Sequence, residues 1–233
     1  MRRAVVLALA VLTAVPAAAG AATPTVDLQV VGKTKVLRAA APVKAKATTV
    51  RVGGKRCAVA AGTPLAALAR TPLRLGLRDY GSCGRKPRDA ASLYVRAVAG
   101  ERGKGEDGWV YKIGAKTPGQ GAGDPGSRVK PGRELLWFWC DMGKTGCQRT
   151  LKVVPTSDAA LAGQSVGVTV IGYDDQGKGK PVAGATVRGG AADVVTSADG
   201  TATVQVPAGS ASLDLVATQA GMVQSFPAGV QVG

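Results

Sequence analysis

The chain has 233 residues and a formal net charge of +15, from 30 Lys and Arg against 15 Asp and Glu. Hydrophobic residues make up 45%, enough for a core in one large or two ordinary domains, and the 19% of charged residues excludes a disordered polyelectrolyte. His is absent, which removes Ser-His and Cys-His catalytic arrangements and most zinc sites. Asn is also absent, which removes N-glycosylation acceptors. Composition therefore disfavours an enzyme.

Residues 1–22 have the features of a secretory signal peptide. The chain opens with Met-Arg-Arg, followed by an apolar run over residues 4–15 and then by small residues with an Ala-x-Ala pattern. The run is shorter than the roughly 20 apolar residues that a membrane span needs. We therefore expect a mature chain with no membrane span, secreted or associated with the cell envelope outside the cytoplasm.

Four cysteines suit an oxidising compartment, where disulfides persist. Cys140 and Cys147 flank a loop with two Gly that can fold back as a hairpin. Paired strand positions put two Cα atoms about 5.5 Å apart, as a disulfide requires. Of the three connectivities that four cysteines allow, this favours Cys140–Cys147, and Cys57–Cys83 then follows by elimination. A four-cysteine zinc site is the alternative, but the chain has no C-x-x-C pair.

The charge is divided unevenly between two halves that meet near Pro155. Residues 24–155 carry 25 basic and 9 acidic side chains, a net of +16, whereas residues 156–233 carry 3 basic and 6 acidic, a net of −3. Seven of the nine aromatics also lie in the first half. Pro155 and the polar residues after it indicate a boundary that few contacts are expected to cross. The predicted organisation is a signal peptide at 1–22, a basic domain at 23–155 and a mildly acidic domain at 156–233.

The first half is predicted to be a small α+β domain. Alternating and β-branched stretches predict strands, and Gly62-Thr63-Pro64 predicts a helix start with Thr63 as N-cap. Residues 76–88 and 118–132, rich in turn residues, predict loops. The predicted strands are 26–30, 48–52, 93–98, 109–113 and 135–140, the last a nearly continuous apolar run.

The second half is predicted to be a β-sandwich, because seven short alternating runs are separated by turn signals every 8–12 residues. Gly-Lys-Pro-Val-Ala-Gly-Ala-Thr-Val at 179–187 and Ser-Ala-Asp-Gly-Thr-Ala-Thr-Val at 197–204 resemble bacterial Ig-like extracellular modules. That resemblance implies an Ig-like spacer. The predicted strands are 149–154, 165–173, 185–188, 193–197, 201–206, 212–218 and 223–232.

Ordered motifs also run through the first half. They are Gly-Thr-Pro-Leu-Ala-Ala-Leu at 62–68, Leu-Tyr-Val-Arg-Ala-Val at 93–98, Gly-Trp-Val-Tyr-Lys-Ile-Gly at 108–114, Gly-Ala-Gly-Asp at 121–124 and Lys-Pro-Gly-Arg-Glu-Leu-Leu-Trp at 130–137. This series resembles the β-grasp domain related to the C-terminal domain of transcobalamin and intrinsic factor. The resemblance implies a β-grasp-like fold over most of residues 25–150, and it raises a corrinoid as a ligand without requiring one. The whole chain is thus expected to be mostly β.

Four aromatic side chains are candidates for a ligand surface. Trp109 and Tyr111 share a face by the period-2 rule, and so do Trp137 and Trp139, whereas Phe138 points oppositely. If the two strands are adjacent, the four rings form one surface suited to sugars or planar ligands. The alternative is that at least one pair belongs to the core, with the other pair accessible.

The basic excess of the first half is the strongest functional indication. Arg85, Lys86 and Arg88 are the candidate polyanion contact, and outside the cytoplasm the expected partner is an anionic envelope polymer. Nucleic acid is a less favoured partner, although phosphate contacts need only such charges. The alternative is that the charge serves solubility alone. Cations in this part of the chain lie at Arg70, Arg74, Arg78, Arg85, Lys86, Arg88, Arg96, Arg102 and Lys104.

No metal site or obligatory cofactor is predicted. Asp174-Asp175 with Gly177 could form part of a calcium loop, but it lacks the further carboxylates of an EF-hand, so a polar hairpin turn is favoured. The predicted function is a non-enzymatic binding protein whose basic module contacts an anionic envelope polymer or a small ligand and is carried on an Ig-like spacer. The alternative is a corrinoid-like small-molecule binder.

Overall fold

The computed structural model describes residues 23–233, so the predicted signal peptide at 1–22 and its cleavage site lie outside the described residues. The described chain is mostly β, which confirms the predicted fold class. Its helical content is one α-helix of five residues and one 3-10 helix of six. Within residues 23–233, neither helix is long and apolar enough to cross a membrane.

Three sheets make up the first half of the described chain. In chain order its elements are β1 (Thr25–Val31), β2 (Val36–Lys44), β3 (Thr48–Val52), β4 (Lys55–Val59), α1 (Pro64–Leu68), β5 (Leu75–Asp79), the 3-10 helix (Pro87–Ser92), β6 (Leu93–Val98), β7 (Glu101–Arg102), β8 (Gly108–Ile113) and β9 (Glu134–Cys140). A mixed four-stranded sheet has the order β2-β1-β9-β8, with its inner pair β1 and β9 parallel. β3 and β4 form a hairpin, and β5, β6 and β7 form the third sheet.

Helix α1 begins at the predicted position. The Thr63 hydroxyl oxygen accepts a hydrogen bond from the amide of Ala66 at 3.2 Å, and Pro64 occupies the first turn, where its missing N–H costs nothing. Leu65 and Leu68 are fully buried. The prediction of a helix start with Thr63 as N-cap is confirmed.

The predicted loop over residues 76–88 is wrong, because residues 75–79 form strand β5. β5 pairs antiparallel with β6, and its pattern was not recognised as a strand because it contains a glycine and the charged residues Arg78 and Asp79. Gly76 allows the two strands to lie close together, since a Cβ there would lie 3.0 Å from the Cβ of Ala97 on β6, a tight contact. Strand β2 was not predicted either. Its three Ala and one Pro have low strand propensity, and Pro is tolerated there because the strand lies at a sheet edge.

Two sheets facing each other form the second half. The strands are β10 (Thr150–Pro155), β11 (Ala159–Ala160), β12 (Ser165–Tyr173), β13 (Gly179–Pro181), β14 (Thr186–Arg188), β15 (Val194–Val195), β16 (Thr201–Gln205), β17 (Ser212–Thr218) and β18 (Ala228–Val232). β12 pairs with β10, β13 and β16, and the other sheet has the order β11-β18-β17-β14-β15. All seven predicted strands are present. Aliphatic side chains from both sheets share one core, among them Leu151, Val153, Val168, Val170, Val187, Leu213, Leu215 and Val230.

The chain joins the second half before the predicted boundary at residue 155. Strand β10 ends at Pro155 and pairs along its whole length with β12. The boundary predicted after Pro155 therefore falls at the end of a strand of the second half's sheet. Because residues 141–149 lie between β9 and β10 and belong to no strand, they form the connection between the two halves.

A small buried cluster lies between the two halves. Leu136 and Phe138 of β9 pack in one buried cluster with Val223 of the second half, and Phe226 lies against it. Strand β9 is buried on both faces, which its nearly continuous apolar run indicates, because a strand covered on one face alternates instead. The second half thus covers the face of the mixed sheet that the first half leaves open.

Both predicted disulfides are confirmed. Cys140 and Cys147 lie with their Cα atoms 5.1 Å apart, and those of Cys57 and Cys83 are 5.3 Å apart. No cysteine of the described residues is free. The Cys57–Cys83 bond ties hairpin strand β4 to the loop that precedes the 3-10 helix, so it brings two basic segments together.

The turn before β16 provides a pH-dependent signal. One carboxylate oxygen of Asp199 accepts hydrogen bonds from the Ser197 hydroxyl at 2.6 Å and from the Thr201 hydroxyl at 2.7 Å and amide at 3.0 Å. These bonds, that from Ser197 first, lower the pKa of Asp199 from 3.8 to about 2. Because the folded pKa is depressed, the turn's stabilisation is complete above pH 3.8 and is lost as the pH falls through about 2.

We expect NMR titration of the Asp199 carboxyl carbon to give a midpoint near 2, as that pKa implies. In the Ser197→Ala variant the midpoint should move toward 3.8, because the largest contributor is lost. A midpoint near 3.8 in the parent protein would contradict the hydrogen bonding of this turn.

Candidate functional site

The four aromatic candidates form part of the core. Strands β8 and β9 are adjacent and antiparallel, and their register places Trp109 opposite Trp139 and Tyr111 opposite Trp137. The ring centroids are 6.0 Å apart in the first pair and 5.3 Å in the second, so the rings do form one continuous surface. All four side chains are nevertheless buried.

The expected accessible aromatic pair is therefore wrong. Both pairs lie on the same face of the sheet and pack in the core of the first half, whereas Phe138 lies on the opposite face as predicted. Three of the four rings also bond within the protein through their polar atoms; the Trp109 indole N–H, for example, donates to the Glu101 carbonyl at 2.9 Å. Rings packed in this way leave no surface for a sugar or planar ligand, so they lend no support to a corrinoid-like ligand at these residues.

Sequence reasoning missed Lys112, a buried residue that links the two halves electrostatically. Lys112 lies on β8, is fully buried, and faces the second half together with Phe138. Its ammonium donates to the carbonyl oxygens of Asp174 at 2.9 Å and Tyr173 at 3.1 Å, and to the Thr150 hydroxyl at 3.2 Å. The alternation of β8 was the available signal, since it places Lys112 on the face opposite the aromatics.

The turn considered as a calcium loop holds Lys112. Residues 174–178 connect β12 to β13, which confirms the hairpin turn. A carboxylate oxygen of Asp175 lies 3.6 Å from the Lys112 ammonium, and Asp174 lies 3.6 Å from the Arg149 guanidinium. Burial lowers the pKa of Lys112, and Asp175 opposes that shift. The Asp175 carboxylate therefore joins the two halves, whereas the Asp174 carboxylate pairs with Arg149 of the connecting segment.

The predicted polyanion contact lies beside the β3–β4 hairpin. Arg85 lines one cleft with Lys55 and Arg56, next to buried Cys83, and the amide of Ala58 donates to the carbonyl of Gly84 at 2.8 Å. The hairpin register pairs Arg51 with Arg56, so their side chains share a face. We call these exposed cations, with the two that follow Arg85 in the chain, the basic cluster: Arg51, Lys55, Arg56, Arg85, Lys86 and Arg88.

The basic cluster carries little compensating negative charge. Arg88 pairs with Asp89 at 3.8 Å, and it is the only member that forms an ion pair within residues 23–233. Asp79 is the other nearby acid, and its carboxylate accepts hydrogen bonds from the Ser92 hydroxyl at 2.7 Å and from the amides of Gly81 and Cys83 at 3.0 Å. These bonds, chiefly that from Ser92, and the charge of Lys55 lower the pKa of Asp79.

The Asp79 carboxylate therefore acts mainly by holding the loop through hydrogen bonds, not by neutralising the charge of the basic cluster. Its three hydrogen bonds fix the segment between β5 and β6, which carries Arg85, Lys86 and Arg88. The disulfide at Cys83 fixes the same segment from the other side. The result is a set of mostly unpaired cations on a braced loop and hairpin, which is suited to electrostatic contact with an anion.

No family model, curated protein or solved structure matches the chain.

Proposed function

We propose that this chain is a secreted or envelope-associated, non-enzymatic binding protein whose basic first half contacts an anionic envelope polymer. The observation that carries the proposal is the convergence of Lys55 and Arg56 with Arg85 in one cleft, within a half whose net charge is +16. Distant parts of the sequence bring like charges together there, against their mutual repulsion. A bound polyanion removes that repulsion by neutralising the positive charges. The Lys and Arg side chains also displace the counterions of the polyanion, which favours binding.

Two further observations support the cellular setting. The disulfides Cys57–Cys83 and Cys140–Cys147 suit an oxidising compartment, and residues 1–22 have the pattern of a secretory signal. We propose that the mature chain acts there with the second half, of net charge −3, as the spacer.

The domain assignments belong to the same proposal. The parallel pairing of β1 with β9 at the centre of a mixed four-stranded sheet, with α1 between them in the chain, supports a β-grasp-like first half. Two facing sheets around one aliphatic core support an Ig-like second half.

The test is charge reversal on the loop, with Arg85→Glu, Lys86→Glu and Arg88→Glu combined. At low ionic strength we expect binding to long-chain polyphosphate and to polygalacturonate to weaken about tenfold or more, because the contact is with the polymer charge. The difference should shrink at high salt, where screening weakens binding of the parent too. The three side chains are exposed, so each reversal should cost less than about 0.5 kcal/mol of folding stability.

The matched control reverses the three cations of residues 156–233, which are Lys178, Lys180 and Arg188. That variant changes the net charge by the same amount and should bind both polymers nearly as the parent does. Equal weakening in the two variants would mean that net charge alone drives binding. Absence of salt-sensitive binding by the parent would show that the charge of the first half serves solubility.

A further inference from the structure

Two tyrosines form the exposed aromatic surface of the molecule. Of the nine aromatic side chains, all within the described residues, only Tyr80 and Tyr94 are exposed, at 66% and 39%. Their ring centroids are 6.2 Å apart, with the ring planes at 62°. The other seven aromatics are buried or half-buried. Contiguous exposed aromatic surface is a mark of interaction sites, so this pair needs an explanation.

Two arginines lie beside the tyrosines on the outer face of the β5–β6 sheet. Strand alternation places Arg78 beside Tyr80 on this face and Arg96 beside Tyr94 on β6, and the register pairs Arg78 with Tyr94. The Arg78 guanidinium carbon lies 4.7 Å from the centre of the Tyr80 ring. Within residues 23–233, neither arginine forms an ion pair.

The two strands and the loop after β7 form a groove. Gly103, Gly105 and Asp107 line it together with the four side chains. The Asp107 carboxylate accepts a hydrogen bond from the amide of Met142 at 2.9 Å. The Tyr94 hydroxyl lies so close to Gly108 that a Cβ there would come within 2.6 Å of it. We call this site the Tyr–Arg groove: Arg78, Tyr80, Tyr94, Arg96, Gly103, Gly105 and Asp107.

The segment between β5 and β6 connects the Tyr–Arg groove to the basic cluster. Tyr80 directly follows Asp79, the last residue of β5, whose carboxylate accepts hydrogen bonds from the amides of Gly81 and Cys83 in the loop that leads to Arg85. Because Tyr80 lies only five residues before Arg85 in the chain, an extended polymer bound to the cluster also reaches the groove. Charge alone explains the cluster, but it does not explain two exposed rings.

We infer that the Tyr–Arg groove binds the sugar rings of an anionic glycan, so that the polymer of the proposed function is a carboxylated or phosphorylated polysaccharide. This inference rests on the proposed function and specifies its ligand class. The tyrosine rings contact the C–H faces of the sugars, and Arg78 and Arg96 pair with their anionic groups, since guanidinium matches carboxylate and phosphate geometry. A polymer without sugar rings would not make this contact with the tyrosines.

The ring geometry favours a glycan over single-stranded nucleic acid. Successive bases stack best on aromatic platforms that offer parallel faces, whereas Tyr80 and Tyr94 meet at 62°. Neighbouring sugars turn relative to one another about their glycosidic bonds, so rings at an angle suit them. One side of Tyr80 is also occupied by Arg78, which leaves one face for the ligand.

The deciding experiment compares three polyanions on the full chain: polygalacturonate, which has carboxylated sugar rings, long-chain polyphosphate, which has none, and oligo(dT). We expect the double variant Tyr80→Ala/Tyr94→Ala to weaken polygalacturonate binding about tenfold, and polyphosphate binding less than about twofold. Arg78→Gln/Arg96→Gln should weaken both. The control Leu161→Ala/Val195→Ala removes two exposed apolar side chains of the second half and should change neither.

Each other outcome overturns the inference. Polygalacturonate binding that does not depend on the tyrosines, in a parent that binds both polymers, refutes the groove but leaves the proposed function standing. Tyrosine-dependent binding that is tighter for oligo(dT) than for polygalacturonate assigns the groove to nucleic acid. A parent that binds none of the three at low salt refutes the proposed function together with the inference. Thermal melting of each variant checks that the fold is unchanged.

Discussion

Replacing Asp175 with Ala is expected to lower the free energy of unfolding by about 2–4 kcal/mol, measured by urea denaturation at pH 7. Its carboxylate is the acidic partner of Lys112, at 3.6 Å, and Lys112 is fully buried. Removing it leaves a buried ammonium without its counterion. The carboxylate also accepts hydrogen bonds from the Thr117 hydroxyl and the Cys147 amide, and these are lost as well.

The matched control is Asp193→Ala. Asp193 pairs with Arg188 at a shorter distance, 3.1 Å, but the two side chains are 56% and 61% exposed. An exposed pair contributes less than about 1 kcal/mol because water screens it. Equal losses in the two variants would show that burial of Lys112 does not set the strength of the Asp175 contact.

The variant Lys112→Met tests the same contact from the other side. Because burial holds the pKa of Lys112 below 10.5, the unfolded chain binds more protons than the folded chain between that lowered pKa and 10.5. The contribution of Lys112 to stability therefore rises with pH through this range. The parent should gain stability relative to Lys112→Met as the pH is raised from 7 toward 10.5. A difference that stays constant with pH would contradict the lowered pKa.

Truncating Trp137 to Ala is expected to cost about 3–5 kcal/mol of folding stability, because it opens a large cavity in the core. Trp137 is 1% exposed and packs against the ring of Tyr111 at 5.3 Å. Its indole N–H has no hydrogen-bond partner among the described residues, so the cost is one of packing rather than of a lost hydrogen bond. Denaturation curves followed by circular dichroism measure it.

Two comparisons make that prediction specific. Trp137→Phe keeps an aromatic ring and removes an unsatisfied donor, so it should cost clearly less than Trp137→Ala. Tyr80→Ala removes an exposed aromatic and should change stability by less than about 1 kcal/mol. If Trp137→Ala were no worse than Tyr80→Ala, the assignment of Trp137 to the core would be wrong.

Features that depend on neighbours in the chain could be predicted from the sequence. The Thr63 cap and the Pro after it act within one helical turn, and the alternation in β6, β12 and β17 marks strands wherever they pair. The Cys140–Cys147 disulfide closes a short hairpin loop, so its pairing was local too, and Cys57–Cys83 followed from it.

What lies on each face of a strand was decided by partners far away in the chain. Period 2 correctly put the four aromatics of β8 and β9 on shared faces, but it cannot tell a face covered by the core from one open to solvent. For the same reason, the burial and pairing of Lys112 could not be predicted. Its partners at residues 173–175 approach only when the second half packs on the mixed sheet.

The sequence by itself determined that this protein is mostly β, where its well-patterned strands lie, how its cysteines pair, and that its charge is concentrated in the first half. Those properties follow from local periodicity, turn chemistry and composition. Only the tertiary structure decided that the tryptophans are core, that Tyr80 and Tyr94 are exposed, and that Arg85 meets Lys55 and Arg56. The reason is physical: exposure and charge clustering depend on which surfaces pack together, and side chains distant in sequence determine that packing.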